Sequence, residues 1–446
     1  MKNHTELNLK RLGEEKLRWL RPSVFVLLVF VLLMEPLTFG RFQIPLERLL
    51  IVGFFFAAML SGRFSTNRPQ PALLSTAMAG LALIVLASMV TYFVTRVGAR
   101  ETITAAMVPL ALFILGVGLT RSHKQMCDMI WAAVISLLIS ALTIWLWTKI
   151  GAAYPLYHES KGFLAYVINV GSMDMSIWAN WTAAFGVLLT VLSLFTTIHD
   201  ASRIRRGISA GAYLAGVYIA FQSGAKSGPI GVLLFTVLCI LAFAKEAFSR
   251  HSAKIFFCAI TLFSFGLYRG IQTGTVVELL NIETHMQRFV DFGQNYGSLQ
   301  YRLDAVAYSW TQGRMGITGI GFGRAWTLDS IDESMYLLWL GNGAGVGAIM
   351  GHLIFLIALS WFFIRSAFSP EREKKVAARC GLILLLVIES MSFSSDQFLG
   401  EAVTGHCLFY LMGGFAGLHL LGRSTSPGAK TGSGHHIFQK STCGRP

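Results

Sequence analysis

"LLSTAMAGLALIVLASMVTYFV", from Leu73 to Val94, runs for twenty-two residues without a charged side chain. A run of that length and composition is what an α-helix needs to cross a hydrocarbon core of about 30 Å. Comparable runs recur along the chain. Of its 446 residues, 54% are hydrophobic and only 13% charged, whereas a soluble protein carries roughly 25% charged residues to solvate its surface. Most of the surface therefore faces something other than water. The chain reads as an all-α polytopic membrane protein, because open strands leave backbone groups unsatisfied in lipid.

Twelve spans are predicted, at 22–40, 44–62, 73–94, 103–120, 126–149, 177–197, 207–222, 228–245, 255–272, 335–364, 379–395 and 402–421. They divide the chain into a cytoplasmic N-terminal tail (1–21), nine spans (22–272), a large outer loop (273–334), three further spans (335–421) and a cytoplasmic tail (422–446). The N-terminal tail is basic through Lys2, Lys10, Arg11, Lys16, Arg18 and Arg21. It lacks a short apolar core with a small-residue cleavage site, so it reads as retained, not as a signal peptide. The last tail, rich in Gly, Ser and Pro, reads as disordered.

Charge sets the orientation. With the N-terminus inside, the loops "RFSTNRPQ", "RSHK", "HDASRIRR", "KEAFSRHSAK" and "RSAFSPEREKK" all fall inside, as the positive-inside rule requires. The net charge of +14 thus belongs to membrane orientation and not to nucleic acid. The two longest loops, about 150–176 and 273–334, come out on the other face. The six cysteines lie in apolar runs or the last tail, with no CxxC pair; neither a disulfide framework nor a metal site is indicated.

The loop from Thr273 to Ser334 holds four arginines, Arg288, Arg302, Arg314 and Arg324, and no lysine. Orientation does not account for basic residues on the outer side. A guanidinium presents a rigid fork that binds phosphate oxygens in pairs, which a lysine cannot do. The competing reading pairs these arginines with the loop's own acids, among them Glu278, Asp304 and Asp329. "VVELLNIETHMQRF" and "SLQYRLDAVAYSWTQG" both show helical apolar spacing, with Leu303, Val306, Ala307 and Trp310 sharing one face. They read as amphipathic helices on or near the membrane surface. The glycines at 313, 316, 319, 321 and 323 follow. No strand precedes "GIGFG", so it is not a dinucleotide fingerprint. It reads as a tight backbone excursion that admits a ligand or a neighbouring helix.

Asp332 and Glu333 stand where the loop meets the next apolar helix. Acids there serve as ordinary helix caps, or alternatively as a general base facing a substrate that enters from lipid. Inside the spans, Glu35, Asp128, Glu389 and Asp396 are costly in lipid and are expected to face the protein interior or an interface; Glu35 and Glu389 read either as ordering helices around a substrate groove or as structural partners of buried cations. His352 and His406 read as packing histidines. In the smaller outer loop, Tyr154, Tyr157, His158 and Lys161 read equally as sugar-stacking groups or as interfacial belt residues.

The stretches "YRLDAVAYSWTQGRMGITGIGFG" (301–323), "IDESMYLLWLGNGAGVGAIM" (331–350) and "FQSGAKSGPIGVLLF" (221–235), set in this topology, resemble the O-antigen ligase and polymerase superfamily. The resemblance implies a GT-C-like membrane glycosyltransferase of the bacterial inner membrane, with its active face periplasmic and no metal or other cofactor. It implies an undecaprenyl-diphosphate-linked glycan as donor and a glycan hydroxyl as acceptor. Arg302, Arg288, Lys226 and Arg324 would hold the diphosphate. The family carries arginine in the turn where Lys226 stands. Asp332, then Glu333, would serve as base or acceptor-orienting residue. Family ligases begin the helix after the loop with histidine and asparagine; the acids here favour a polysaccharide repeat-unit polymerase. The alternatives are an O-antigen ligase acting on a lipid A-core or protein acceptor, and a flippase or secondary transporter. Whether a chain-length regulator joins a polymerase is not legible.

Overall fold

The structure, a computed structural model, describes residues 71–98, 102, 106–149, 153–158, 163–170, 173–177, 179–223, 227–244, 297–322, 336–392 and 404–420, together with the short strands below and positions 53, 55 and 56. The helices are α1 (Ala72–Thr95), α2 (Val108–Leu119), α3 (His123–Lys149), α4 (Ala179–His199), α5 (Arg203–Gln222), α6 (Ser227–Ala242), α7 (Gly297–Thr311), α8 (Tyr336–Ala344), α9 (Val346–Ala367), α10 (Arg372–Ser392) and α11 (Thr404–Gly417). Among the described residues four stretches are long and apolar enough to cross a membrane: Ala72–Thr95, His123–Leu142, Thr182–His199 and Val346–Ala367. Three shorter apolar helices accompany them, at Val108–Leu119, Ser227–Ala242 and Leu408–Leu420.

The outward faces are apolar too. On α6, Ile230, Leu233, Leu234, Val237 and Leu241 are exposed, while Gly231, Val232, Phe235 and Cys239 on the opposite face are buried. On α9, Leu353, Ile357, Trp361 and Ile364 are exposed in the same way. A helix that is hydrophobic on every side belongs in lipid or deep in a core. These helices are at the surface, so lipid is their solvent.

Facing glycines seam the main helix pairs. An added Cβ on Gly351 of α9 would lie 2.6 Å from the Gly80 carbonyl oxygen of α1. Gly186 of α4 meets Gly216 of α5 in the same manner, and Gly413 of α11 meets Phe113 of α2. In lipid no hydrophobic drive pulls helices together, so packing must, and small residues let the backbones approach.

The contacts also fix helix directions. Gly80 faces Gly351 while Thr91 bonds to Ala344, so α1 and α9 are antiparallel. Gly413 lies on Phe113 and Gly417 on Val117, so α2 and α11 run parallel. Gly381 of α10 packs on Phe363 and Glu389 reaches His352, so α9 and α10 are antiparallel. The directions alternate as the predicted spans require. One end of the bundle then gathers Arg121, Lys124, Arg203, Arg206, Arg372, Lys374 and Lys375. The other end receives the glycine-rich segment 313–322.

Three expectations change. The stretch predicted as the loop 150–176 is largely strand: β3 (Ala153–His158), β4 (Phe163–Val170) and β5 (Met173–Ile177) form an antiparallel meander. Its Tyr, Phe, Val and Ile content suits a pleated surface, so the all-α expectation holds for the spans and not for this connection. The predicted spans 22–40 and 44–62 are described mainly where they face each other, as β1 (Thr38–Phe39) paired antiparallel with β2 (Ile44–Pro45). The single helix expected over 335–364 is two helices, broken at Gly345. The predicted span 255–272 and the predicted helix over "VVELLNIETHMQRF" lie outside the described residues.

Candidate functional site

The break at Gly345 builds the site. Gly345 has φ 84° and ψ −177°, a conformation essentially reserved for glycine. The chain reverses there, and α8 folds back along α9. Gly341 lies against Ile349, and the Tyr336 ring sits 5.1 Å from the His352 ring. The residue numbers of these contacts sum to nearly the same value, the signature of an antiparallel hairpin. Tyr336 is therefore level with His352, roughly 9 Å along the axis from the start of α9 at 1.5 Å per residue.

A reversal frees backbone groups that lipid cannot satisfy. Thr91 of α1 meets two of them: its hydroxyl donates to the Ala344 carbonyl at 3.2 Å and accepts from the Gly319 amide at 3.2 Å. The glycine-rich segment meets the others. Val346 N–H donates to the Gly316 carbonyl at 2.9 Å, and Ile320 N–H to the Asn342 carbonyl at 2.8 Å. An added Cβ on Gly319 would strike the Asn342–Ala344 backbone. A neighbouring helix, one of the two partners considered for the clustered glycines, packs against them here.

Helix α7 lies over this hairpin. Its inward residues are Ala305 and Ser309, which pack with Met315 and Leu338 and place the Ser309 hydroxyl 3.3 Å from Asn342 Nδ2. The apolar face expected from the sequence is divided: Val306 packs against this cluster, while Ala307 is exposed and Trp310 is 63% exposed, as suits a helix at a membrane surface. Small residues, not the largest apolar ones, touch the protein because α7 approaches the hairpin closely. Arg314 does not pair with an acid among the contacts described; its guanidinium stacks 5.0 Å from the Tyr308 ring centre.

Beneath the hairpin lies an aromatic cluster of Phe322, Trp339, Tyr336, Phe355 and Phe113. Two ionisable groups sit within it. His352 Nε2 is 3.5 Å from Glu389 Oε1, and their side chains are 1% and 30% exposed. That separation is within ion-pair reach but beyond good hydrogen-bond geometry. Neither His352 nitrogen has a hydrogen-bond partner among the described residues. The histidine is not the satisfied packing residue expected from the sequence. Nothing in the sequence alone joins positions 352 and 389. The available signal was that each is ionisable within an apolar run and lies toward the loop end of its helix.

Of the residues assigned to the site from the sequence, Arg302 falls on α7, where only its backbone position is described. Arg288, Arg324, Lys226, Asp332 and Glu333 lie outside the described residues, as do Glu35 and Asp396. Asp128 is placed at the basic end. Arg205 donates to it at 2.6 Å and to Asp200 at 3.3 Å, and stacks on Trp131. The Asp128 hydrogen bond comes first among the causes that hold the Arg205 guanidinium above its ordinary pKa. This is an ionic tie between α3 and the α4–α5 turn, at the opposite end from the loop. Among the described residues, no three His, Cys, Asp or Glu side chains gather as a metal group.

Comparison with protein-family models gives no match, and comparison with curated proteins gives none either.

Proposed function

We propose that the protein is a metal-independent membrane glycosyltransferase that polymerises undecaprenyl-diphosphate-linked repeat units into a surface or secreted polysaccharide. In this reading it is a twelve-span, GT-C-like protein of the bacterial inner membrane. The basic end is cytoplasmic and the loop end periplasmic. The observation that carries the reading is the seating of the loop helix that bears Arg302, with its glycine segment, on a reversed helical hairpin, at the end opposite the cluster that includes Arg121, Arg203 and Arg372. Such a platform suits a substrate whose charged head stands at the interface while its tail lies in lipid.

Within the reading, Arg302 and Arg288 hold the diphosphate, with Lys226 and Arg324 as further cations. Fixed cations stabilise charge developing on a diphosphate leaving group. Asp332 and Glu333 orient or deprotonate the acceptor hydroxyl. The test is the length distribution of surface and secreted glycans in a deletion strain, rescued by wild type, Arg302→Ala or Asp332→Ala. Single repeat units accumulating without the gene, and with either variant, support a polymerase. Long chains left on their lipid carrier indicate the ligase instead.

One observation favours a second reading, a transporter or flippase. A broken helix beside a buried ionisable pair is what transporters use at the bilayer midplane. Here the break caps a helix, Val346–Ala367, that is itself long enough to span. The break is therefore at the interface, which weighs toward the transferase. Normal glycans in their normal place in the deletion strain would reverse that order.

A further inference from the structure

The buried pair beneath the hairpin has no part in the scheme above, and its asymmetry says how it works. His352 is sealed, at 1% exposure, while Glu389 is 30% exposed. Of the pair, only the Glu389 side chain is reachable from outside. One turn along α10, on the same side, Leu386 is 47% exposed. Glu389 Oε1, the oxygen toward His352, is buried, and the exposed part of the side chain lies beside Leu386 and the exposed Ser390. The carboxylate stands near the loop end of α10, and across from it Tyr336 and the reversed helix α8 close over the imidazole. Keeping an ionisable pair at this depth costs stability, which makes it a candidate for function.

We propose that Glu389 is the catalytic base that takes the proton of the acceptor hydroxyl, and that His352 is a positioning residue that holds its carboxylate. The proposal rests on the transferase reading and leaves Asp332 and Glu333 the orienting role. In the step, the acceptor O–H proton passes to the Glu389 carboxylate. The acceptor oxygen forms the new bond to the anomeric carbon, and the bond from that carbon to the diphosphate oxygen breaks, its electron pair leaving on the diphosphate. The 3.5 Å separation closes to a hydrogen bond when substrate is present, as catalytic contacts commonly do.

The experiment uses membranes holding the full chain, supplied with polyprenyl-diphosphate-linked repeat units extracted from the deletion strain, and reads the initial rate of chain extension on gels. Glu389→Gln keeps the shape and removes the base; its rate should fall about 100-fold or more. Glu389→Asp keeps a carboxylate and should retain part of the rate. His352→Phe keeps a packed ring without nitrogen and should fall about 10-fold, whereas His352→Gln keeps an N–H donor and should stay within about threefold of wild type. Glu389→Gln extending chains at the wild-type rate overturns the proposal. So does an equal loss in His352→Phe and His352→Gln, which would make the histidine packing alone. Should Glu389→Gln fail to fold, purified wild-type protein is treated with dicyclohexylcarbodiimide, an apolar reagent for carboxyl groups, and mapped by mass spectrometry. An adduct on Glu389 that the repeat-unit lipid suppresses supports the proposal; no adduct there overturns it. Wild-type membranes that extend nothing would instead remove the transferase reading, and the base with it.

Discussion

Gly345→Ala tests the reversed hairpin on which the site stands. Position 345 has φ 84° and ψ −177°, a region that costs an alanine about 1–3 kcal/mol. The added Cβ would also lie 2.5 Å from the Ile317 carbonyl oxygen and 2.8 Å from that of Gly316. Those oxygens are backbone, and Gly316 is already bonded to Val346 N–H, so relief means displacing the whole glycine segment. Overpacking of this kind costs a further ~1–3 kcal/mol, for a total of about 2–6 kcal/mol. Two neighbours serve as controls. Gly313 has φ 66° but nothing within 4 Å of an added Cβ, so Gly313→Ala carries only the backbone cost of about 1–2 kcal/mol. Gly347 is helical and would meet only the Ala87 methyl at 3.2 Å. There, alanine's helix preference of about 0.5–1 kcal/mol offsets the crowding. The assay is the midpoint temperature for loss of the monodisperse peak in detergent. The order of destabilisation should be Gly345→Ala, then Gly313→Ala, then Gly347→Ala. If Gly345→Ala is no worse than Gly313→Ala, the chain does not reverse at this residue.

Thr91→Val removes the hydroxyl that serves both the Ala344 carbonyl and the Gly319 amide. Two buried backbone groups lose a partner, at about 1–3 kcal/mol each, so the same assay should show a clear loss that Thr91→Ser largely restores. The Arg205–Asp128 contact is short, but its side chains are 34% and 27% exposed. A double-mutant cycle of Arg205→Ala with Asp128→Ala should therefore give a coupling of only about 0.2–1 kcal/mol, shrinking in high salt. Topology is testable in a cysteine-free background. Ile317→Cys, at a position 94% exposed, should react with a membrane-impermeant maleimide in intact cells, and Phe368→Cys, 83% exposed, only after permeabilisation. The reverse pattern would put the loop in the cytoplasm and end the transferase reading.

Among the described residues, the apolar runs were legible because lipid imposes a simple code of length and apolarity, and four of them are long enough to cross a membrane. Predicted 73–94 and observed Ala72–Thr95 differ by a residue at each end. The opposed directions of α1 and α9, and of α9 and α10, agree with the parity of the predicted spans. What escaped was decided by contacts between distant segments. The reversal at Gly345 is written in "GNGAGVG" (341–347), where several glycines could each have turned the chain. Gly345 is the one whose neighbours, Gly316 to Gly319, receive the reversed backbone. On α7 periodicity marked an apolar face of which Val306 packs on the protein while Trp310 stays exposed. A helix at a membrane surface has two apolar surroundings to choose between, and here the small face, Ala305 and Ser309, took the protein.

The site was legible in part, and the division follows the kind of residue. The arginines of one loop stand out in the sequence without a partner, but of the four only Arg314 has a described side chain. His352 and Glu389 gave a weaker signal, since a single ionisable residue in a span is as often tied off structurally as it is functional. Asp128 shows the structural outcome: its partner Arg205 reaches it at 2.6 Å, with Asp200 alongside. Glu389 shows the other. Its neighbour is an imidazole 3.5 Å away whose nitrogens bond to nothing else among the described residues. A carboxylate kept only to tie helices would gain from a shorter contact with a permanent cation, as at the basic end. Glu389 instead stands beside a sealed imidazole, at the loop end and beneath a glycine-built reversal, which is the position the proposed base requires.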